Sequence, residues 1–375
     1  MHEDFDFIVA GAGMVGAAIA HGLAGARQRV LLLDGEDGDY RAAKANFGLV
    51  WVSGKGYGNP HYQRLSYEAG HLWPAFAREL EQESGIALQY ENRGGLNFCL
   101  GESQFEERSA AMRQWAARTP DLELGIEMLD RAALERRFPA VRFGPDVTGA
   151  CFGSQDGHVN PLRLLAALQA AFLKRGGVLK SRHPVEHIEP LASGGFTVRS
   201  GAARFAARNV VIAAGLGSNK LGPMVGLDAP VRPQRGQILV TERLAPLLPV
   251  PASGIRQTGD GTVMLGVTQE NVGYDLATTA EAAVRMSRNA VRVLPDLAGA
   301  RLVRQWACLR VLTPDGCPVY AASASHCGAW IALCHSGVTL ASFHAGPLAL
   351  ALAGGALPSF LDPLHYERFT FPQAV

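Results

Sequence analysis

The chain reads as an α/β protein of the doubly wound kind, and three stretches predict it. An apolar strand, FDFIVA at residues 5–10, runs directly into Gly11-Ala12-Gly13-Met14-Val15-Gly16 and then into a helical run, AAIAHGLAGAR. A second apolar strand, RVLLLD, follows and ends on Asp34. A third, RNVVIAAG, closes on Gly215 much later in the sequence, with Gly217 just beyond. Strand, glycine turn, helix and strand in that order are the opening unit of a parallel sheet that binds a dinucleotide.

Each residue of the opening unit has a mechanical reason. Gly11 permits the tight turn, Gly13 lets a pyrophosphate approach the backbone, and Gly16 lets helix and sheet pack closely. Asp34 falls 23 positions after Gly11, where a carboxylate can accept hydrogen bonds from an adenosine ribose. After Asp34 the chain does not continue as a simple strand–helix alternation. Residues 42–45 read as the end of a short helix that would bring Lys44 or Asn46 near phosphate or ribose. Residues 47–52 then read as a strand, followed by Gly54, Gly56 and Gly58 with Lys55 and Tyr57 between them. Such a stretch offers a flat apolar surface, backbone donors and a polar group, as a flavin ring needs. A plain glycine-rich turn is the alternative for Lys55 and Tyr57. A nucleotide fold split by insertions, with glycine again at Gly215 and Gly217, suits the extended FAD better than NAD.

Further along, DGHVNPLRLLAALQAAFLKRGG carries Asn160 as a cap, Pro161 at the first helical position and Gly176-Gly177 at the end. Leu162, Leu165, Leu168 and Phe172 supply its packing face. Asp156 and His158, just before it, read as turn and surface groups. Helices are also expected in FEERSAAMRQWAARTPD, in LDRAALERRFP and around residues 279–294. Between them PQRGQILVTERL and GIRQTGDGTVMLGVTQE alternate strand and turn, and Gly266 is placed near substrate.

Composition bounds the partners. The 375 residues include 18% charged and 48% hydrophobic residues, with a formal charge of +1, so no basic field recruits nucleic acid or an anionic membrane. The opening MHEDFDFIVAGAG puts acids where a signal peptide needs Lys or Arg, which gives a cytoplasmic expectation. The apolar tail at residues 341–357 contains His344, Gly346 and Pro347 and is too short to span a bilayer. Six cysteines form no CxxC and no metal or cluster spacing, so they read as reduced structural thiols, and no metal is expected.

Taken together, GAGMVG with VLLLD, ANFGLVWVSGKG, DGHVNP, VVIAAG, RVLTPDGCPVY and GAWIALCHSGVTLAS resemble the FAD-dependent amino-acid-oxidase-like family. That family holds D-amino-acid, glycine and sarcosine oxidases. NFGLVW is similar, more narrowly, to the flavin-bearing β subunits of heteromeric opine (octopine or nopaline) and hydroxyproline dehydrogenases and of hydrogen cyanide synthase. The resemblance covers essentially the whole chain.

It implies a discontinuous FAD-binding domain, residues 1–73, 146–230 and 305–375. A second α+β domain, residues 74–145 and 231–304, is built on a large mixed sheet facing the flavin. The implied reaction is oxidation of a C–N bond, with hydride passing from the amine-bearing carbon to flavin N5. Arg310 would bind a substrate carboxylate, with pairing to Asp315 as the alternative. The loop His335, Ser336, Gly337, Val338, Thr339 would close over the flavin pyrimidine edge, with a purely structural His335 as the alternative. Gly11, Gly13, Met14, Gly16, Asp34, Lys44, Asn46, Phe47, Gly48, Leu49, Gly215 and Gly217 complete the expected FAD contacts. Tyr57, His335 and Tyr274 are polar candidates for the substrate side.

The sequence departs from the family in lacking an assured oxygen-activating lysine and a covalent-attachment histidine or cysteine; Cys308 and Cys317 sit in other patterns. FAD is therefore expected to be non-covalent. The heteromeric relatives imply an α subunit with further flavin, FMN at a subunit interface, a small iron–sulfur subunit and contact with the inner face of the membrane through partners. A self-sufficient oxidase producing hydrogen peroxide and an electron-relay or structural subunit are the alternative readings.

Overall fold

The computed structural model describes residues 4–35 and 42–369. β1 (Asp4–Ala10), α1 (Met14–Gly25) and β2 (Val30–Leu33) form in the expected order. Residues 42–45 form turns rather than a helical end, and only β3 (Leu49–Val50) of the expected strand is paired. α2 (Pro60–Ser84) starts on Asn59, whose Oδ1 accepts from the His61 and Tyr62 N–H groups, and stops on Gly85 at φ 75°. β4 (Gly95–Leu100), α3 (Glu102–Ala116), β5 (Ile126–Asp130), α4 (Arg131–Arg137), β6 (Val147–Gly153) and β7 (Gly157–His158) follow. α5 (Pro161–Lys174) is capped by Asn160 Oδ1, which accepts from Leu162 and Arg163. Then come β8 (Val178–Lys180), β9 (His187–Pro190), β10 (Phe196–Ser200), β11 (Ala203–Ile212) and α6 (Ser218–Leu221). β12 (Arg232–Arg243), β13 (Ile255–Gln257), β14 (Thr262–Gly266), α7 (Ala280–Val293) and β15 (Leu302–Leu312) build the second layer. The chain returns through β16 (Val319–Ala322), β17 (Ala329–Leu333), α8 (Ala341–Phe343), a wider turn at His344–Leu348 containing Pro347, and α9 (Ala349–Ala353).

The larger sheet runs β16-β17-β11-β1-β2-β8, with β10 and β9 added beside β11. Its central strands are parallel, and toward their C-terminal ends they become apolar runs because both faces are covered there: Ile8, Val9, Leu31, Leu32, Val210 and Val211 are all buried. α1 and the C-terminal helical segment cover one face through Phe7, Val9, Ile19 and Phe343; the β9–β10 hairpin and the residues after α6 cover the other. The chain goes from β1 to β2 on one side, while β11 and β17 join on the other. The C-terminal ends of β1 and β11 therefore mark a topological switch point.

The second layer pairs β13-β14-β12-β15 and β4-β6-β5, linked through the parallel bridge between Leu96 and Ala252. α7 packs Ala282, Met286 and Ala290 onto its apolar side with Leu239 and Leu265. Two of the expected domain boundaries fall inside elements. Residues 73 and 74 are consecutive in α2, where buried Trp73 anchors the helix and Pro74 is accommodated without ending it. Residues 304 and 305 are consecutive in β15, which pairs with β12 along its length. In α5 the packing face is Leu164, Leu165, Leu168 and Phe172, whereas Leu162 is 55% exposed, because it lies with Ala166 and Leu173 on the solvent face of the helix while Pro161 and Leu164 of the same turn are buried.

A close backbone approach joins α1 to the C-terminal segment. A Cβ added at Gly22 would overlap the Ala345 carbonyl oxygen and come within 2.5 Å of Ala349 Cβ. Helix propensity alone makes Gly→Ala stabilising by about 1 kcal/mol, but overpacking costs roughly 1–3 kcal/mol. Gly22→Ala should therefore lower the urea midpoint. A raised midpoint would mean that this helix crossing has room to spare.

Candidate functional site

A cleft of about 640 Å³ opens along the C-terminal ends of four neighbouring strands. Asp34 and Gly35 stand at the end of β2, Gly11 and Gly13 at β1, Ala213 to Gly217 at β11, and Cys334 and His335 at β17. Four strands with three gaps of about 4.8 Å make a floor roughly 14 Å wide. That is a site for an elongated ligand.

The β1–β2 end is shaped for phosphate and ribose. Gly11 holds φ 103°, and a Cβ there would lie 2.5 Å from the Ala213 carbonyl oxygen. A Cβ at Gly13 would meet only Ala43 Cβ at 3.8 Å, so this stretch of backbone faces open space. Gly13 begins the twelve-residue α1 and no side chain caps it. The first N–H groups and the positive end of the helix dipole are thus presented to an anion. Asp34 Oδ2 accepts from the Ala12 N–H at 2.6 Å, which fixes the carboxylate beside the turn. Lys44 lines a small adjoining cavity with Gly13, Asp34 and Ser181.

The other end is built on the turn after β17. Cys334, His335, Gly337 and Val338 line the cleft, and the residues between and beyond them are tied down from behind. Ser336 Oγ accepts from Lys55 Nζ and from Tyr62 Oη, each at 2.7 Å. Thr339 Oγ1 accepts from the Trp51 N–H at 3.1 Å, and its carbonyl accepts from Trp73 Nε1 at 2.8 Å. Burial pushes the Lys55 pKa down, opposed by Cys334 and Asp156. His335 is exposed and opens onto the cleft. Desolvation, then Lys55 and Arg310, push its imidazole down to about 3, so it stays neutral at physiological pH.

Arg310 stands on β15 between Leu309 and Val311, which line the cleft; its own side chain does not. The guanidinium lies over Gly236, where an added Cβ would come within 2.6 Å of it. Nη1 donates to the Arg235 carbonyl at 3.3 Å. Arg310 forms no ion pair among the described residues, and Asp315 instead pairs with Arg368 at 2.9 Å. The alternative of an Arg310–Asp315 pair is thereby excluded. Burial pushes the Arg310 pKa down, opposed by Cys308 and Glu270.

The expected contacts separate into lining and support. Gly11, Gly13, Met14, Asp34, Asn46, Gly215, Gly217, His335, Gly337, Val338 and Tyr274 line the main cleft. Gly16, Phe47, Gly48, Leu49, Ser336 and Thr339 do not. A Cβ on Gly16 would overlap the Gly11 carbonyl, and Phe47 packs against Ile238 and Met264 of the second layer. Asn46 is a turn-former: Nδ2 donates to the Ala42 and Ala43 carbonyls and Oδ1 accepts from the Gly48 N–H. Tyr57 points away from the cleft, 41% exposed, with Oη donating to Gln114 at 2.8 Å. Neighbouring side chains in this turn diverge, so only Lys55 reaches the 334–339 turn.

Asp156 and His158 are not surface groups. Asp156 is fully buried, and Oδ1 accepts from the Val52 and Ser53 N–H groups at 2.7 and 3.0 Å. Burial raises its carboxyl to about 6, against the pull of those hydrogen bonds and of Lys55. His158 is buried because β7 pairs with β3 and because Nδ1 accepts from Arg256 Nε at 2.9 Å. Tyr62, Trp73 and Arg256 carry no signature in the sequence; each acts through a partner far away in the chain, which no local pattern records. No group of three or more His, Cys, Asp or Glu suited to a metal occurs among the described residues, and no helix there is long and apolar enough to cross a membrane.

An elongated cleft at a switch point, an open glycine face, an uncapped helix start and a ribose-side carboxylate together fit an extended dinucleotide. The FAD-dependent oxidoreductase family model, also called DAO, matches residues 6–349, and the chain belongs to that family. It is 39% identical to the B subunit of opine oxidase from Agrobacterium tumefaciens (strain Ach5), over 99% of this chain and 100% of that protein. The corresponding B subunit from Rhizobium meliloti is 38% identical over 99% of each. Among solved structures, glycine oxidase from Geobacillus kaustophilus covers both chains completely, with a TM-score of 0.88 and 25% identity. The chain is a flavin-dependent oxidoreductase.

The buried Asp156 gives a pH test. Its carboxyl titrates higher in the folded chain than its ordinary value of 3.8, so the folded state holds that proton more tightly. The associated stability is fully present below about pH 4 and is lost as pH rises through about 6. Asp156→Asn keeps the acceptor oxygen and removes the ionisation. Its stability relative to the native chain should improve by on the order of 2–3 kcal/mol between pH 4 and pH 7.5 in urea unfolding. A difference that is flat across this range would refute the assignment.

Proposed function

We propose that this chain oxidises the C–N bond of a carboxylate-bearing secondary amine or imino acid, of the opine or hydroxyproline type, as the catalytic flavin subunit of a heteromeric complex. The observation that carries the reading is Arg310: a mostly buried guanidinium with no carboxylate partner among the described residues, on the strand that borders the cleft. A buried cation without an ion pair is costly, and a substrate carboxylate is the partner whose planar geometry matches it. The similarity to two opine oxidase B subunits supports the substrate class, and the word subunit in their names supports a companion chain.

The residues present would hold FAD between the Gly11–Gly13 turn, Asp34, Gly215 and the 334–339 turn. When bound, FAD would supply the two-electron acceptor for hydride from the amine-bearing carbon. Arg310 holds the carboxylate and so orients the carbon attached to it. His335, kept neutral, can accept a hydrogen bond from the N–H of an amine that arrives neutral, the form whose lone pair lets hydride leave the carbon. Lys55, behind the turn, supplies a positive field at that end of the cleft, where negative charge gathers during the reaction. Its link to the cleft is Ser336, which locks the turn in place.

Arg310→Ala should raise KM and lower kcat/KM on an N-carboxyalkyl amino acid by roughly 100-fold or more, with Arg310→Lys recovering part of the loss. The assay is anaerobic flavin reduction in the complex purified with its co-expressed partners. An unchanged kcat/KM would overturn the carboxylate role. Stoichiometric hydrogen peroxide from the isolated chain would replace the heteromeric dehydrogenase with a self-sufficient oxidase.

A further inference from the structure

Between β14 and α7 the chain makes an excursion that packs little of itself. Residues 271–278 carry Val272, Tyr274 and Leu276, which are 40, 67 and 39% exposed. Tyr274 and Leu276 nevertheless line the cleft, as do Gly215, Leu309 and Val311. Two exposed side chains at a ligand cleft, Tyr274 and Leu276, lack the partner that would cover them.

Both ends of this strap are fastened to the second-layer sheet. At one end Glu270 and Arg235 exchange backbone hydrogen bonds at 2.9 and 3.0 Å. At the other, Thr279 donates its N–H to Gln237 Oε1 at 2.9 Å, and its carbonyl accepts from Gln305 Nε2 at 3.1 Å. Near the middle, Asp275 Oδ2 accepts a short hydrogen bond from Arg235 Nη1. Asn271, close to the first end, accepts from Arg232 Nη1 at 3.0 Å.

Arg235 is only 5% exposed, and a buried guanidinium left without a partner would be expensive. It has a second partner. Glu270 Oε2 accepts from Arg235 Nε at 2.8 Å and Nη2 at 2.5 Å, and Glu270 Oε1 accepts from Gln237 Nε2 at 2.9 Å. If Asp275 lets go, Arg235 keeps its buried ion pair and Asp275, already half-exposed, returns to water. The strap can therefore open without stranding a charge.

We propose that Asp275 is a positioning residue: with Arg235 it latches the 271–278 strap so that Tyr274 and Leu276 close over the cleft and retain the flavin nucleotide. This rests on the family's cofactor occupying that cleft. The strap covers its ligand with apolar side chains, while the latch supplies the reversible hold. Glu270 belongs to the fixed frame and Asp275 to the moving part.

The test measures release of FAD from the holoprotein, followed by the recovery of free-flavin fluorescence after dilution. Asp275→Ala should speed release by about 10-fold or more, the range one charge-assisted hydrogen bond supports, and Asp275→Glu should recover part of the hold. Because the latch is half-exposed, release from the native chain should quicken with added salt while release from Asp275→Ala should not. Urea unfolding of the apoprotein should be nearly the same for both. A native release rate in Asp275→Ala, or an equal salt response in the two proteins, overturns the latch alone. A chain that takes up no FAD overturns the underlying reading and the latch with it.

Discussion

Lys55 and Ser336 lie 281 positions apart and share a 2.7 Å hydrogen bond. Much of the site depends on that contact. It draws the glycine-rich turn after β3 against the turn after β17, and Tyr62 from α2 completes the junction on the same hydroxyl. Three segments that meet only in the folded state thus set the position of residues 334–339. Desolvating an ammonium to make such a bond is unfavourable in itself. Asp156 offsets part of it: its buried carboxylate attracts Lys55 and also grips the Val52 and Ser53 N–H groups that lead into the turn. Charge and backbone geometry are fixed by one group.

The two layers are joined by a similar device. Arg256, on β13 of the second layer, is 3% exposed and reaches into the nucleotide half. Nε donates to His158 Nδ1, and Nη1 donates to the Phe47 carbonyl, both at 2.9 Å. Accepting at Nδ1 requires a neutral ring, and desolvation, Arg256 and Arg93 push His158 down to about 4, which keeps it so. Phe47 meanwhile packs on Ile238 and Met264. The short segment 46–50 is thereby wedged between layers and cannot shift without disturbing both. Its neighbour Asn46 lines the cleft, so the packing of the interface is transmitted to the site.

The legible parts of the sequence were those governed by neighbours in the chain. Gly11, Gly13 and Gly16 do different steric jobs within six residues, and the Asn160-Pro161 start of α5 is a local rule. Asp156 misled for the same reason. An Asp-Gly pair beside a turn ordinarily faces water, and its burial follows from Val52 and Ser53 more than a hundred residues earlier. Leu162 and Leu164 differ in burial because they fall on opposite faces of α5, and a leucine on the solvent side looks the same in the sequence as one on the core side. Lys55 and Tyr57 could not be told apart, since which residue of a turn points inward is decided by Ser336 and Gln114. The boundary between layers was blurred by α2 and β15, whose ends belong to different neighbourhoods.

The distribution of charge separates structure from chemistry. Arg175 is paired with Glu83, Arg235 with Glu270, and Arg368 with Asp315. Each of these holds a fixed feature, and each is compensated. Behind the β17 end of the cleft the pattern loosens: Lys55, drawn only at a distance by Asp156, and Arg310 form no ion pair among the described residues, and both are felt by the ring of His335. Folding gains nothing from gathering two cations around an imidazole, because their fields disfavour one another and the burial of each is opposed by lost hydration. The wall behind this end of the cleft is thus least favourable to stability where it is most positive, and selection for stability alone would have placed further carboxylates there. The arrangement becomes favourable once an anionic group enters. Charge that is only partly compensated behind the wall of a concave site is a binding preference carried by the unliganded chain, whatever motif surrounds it.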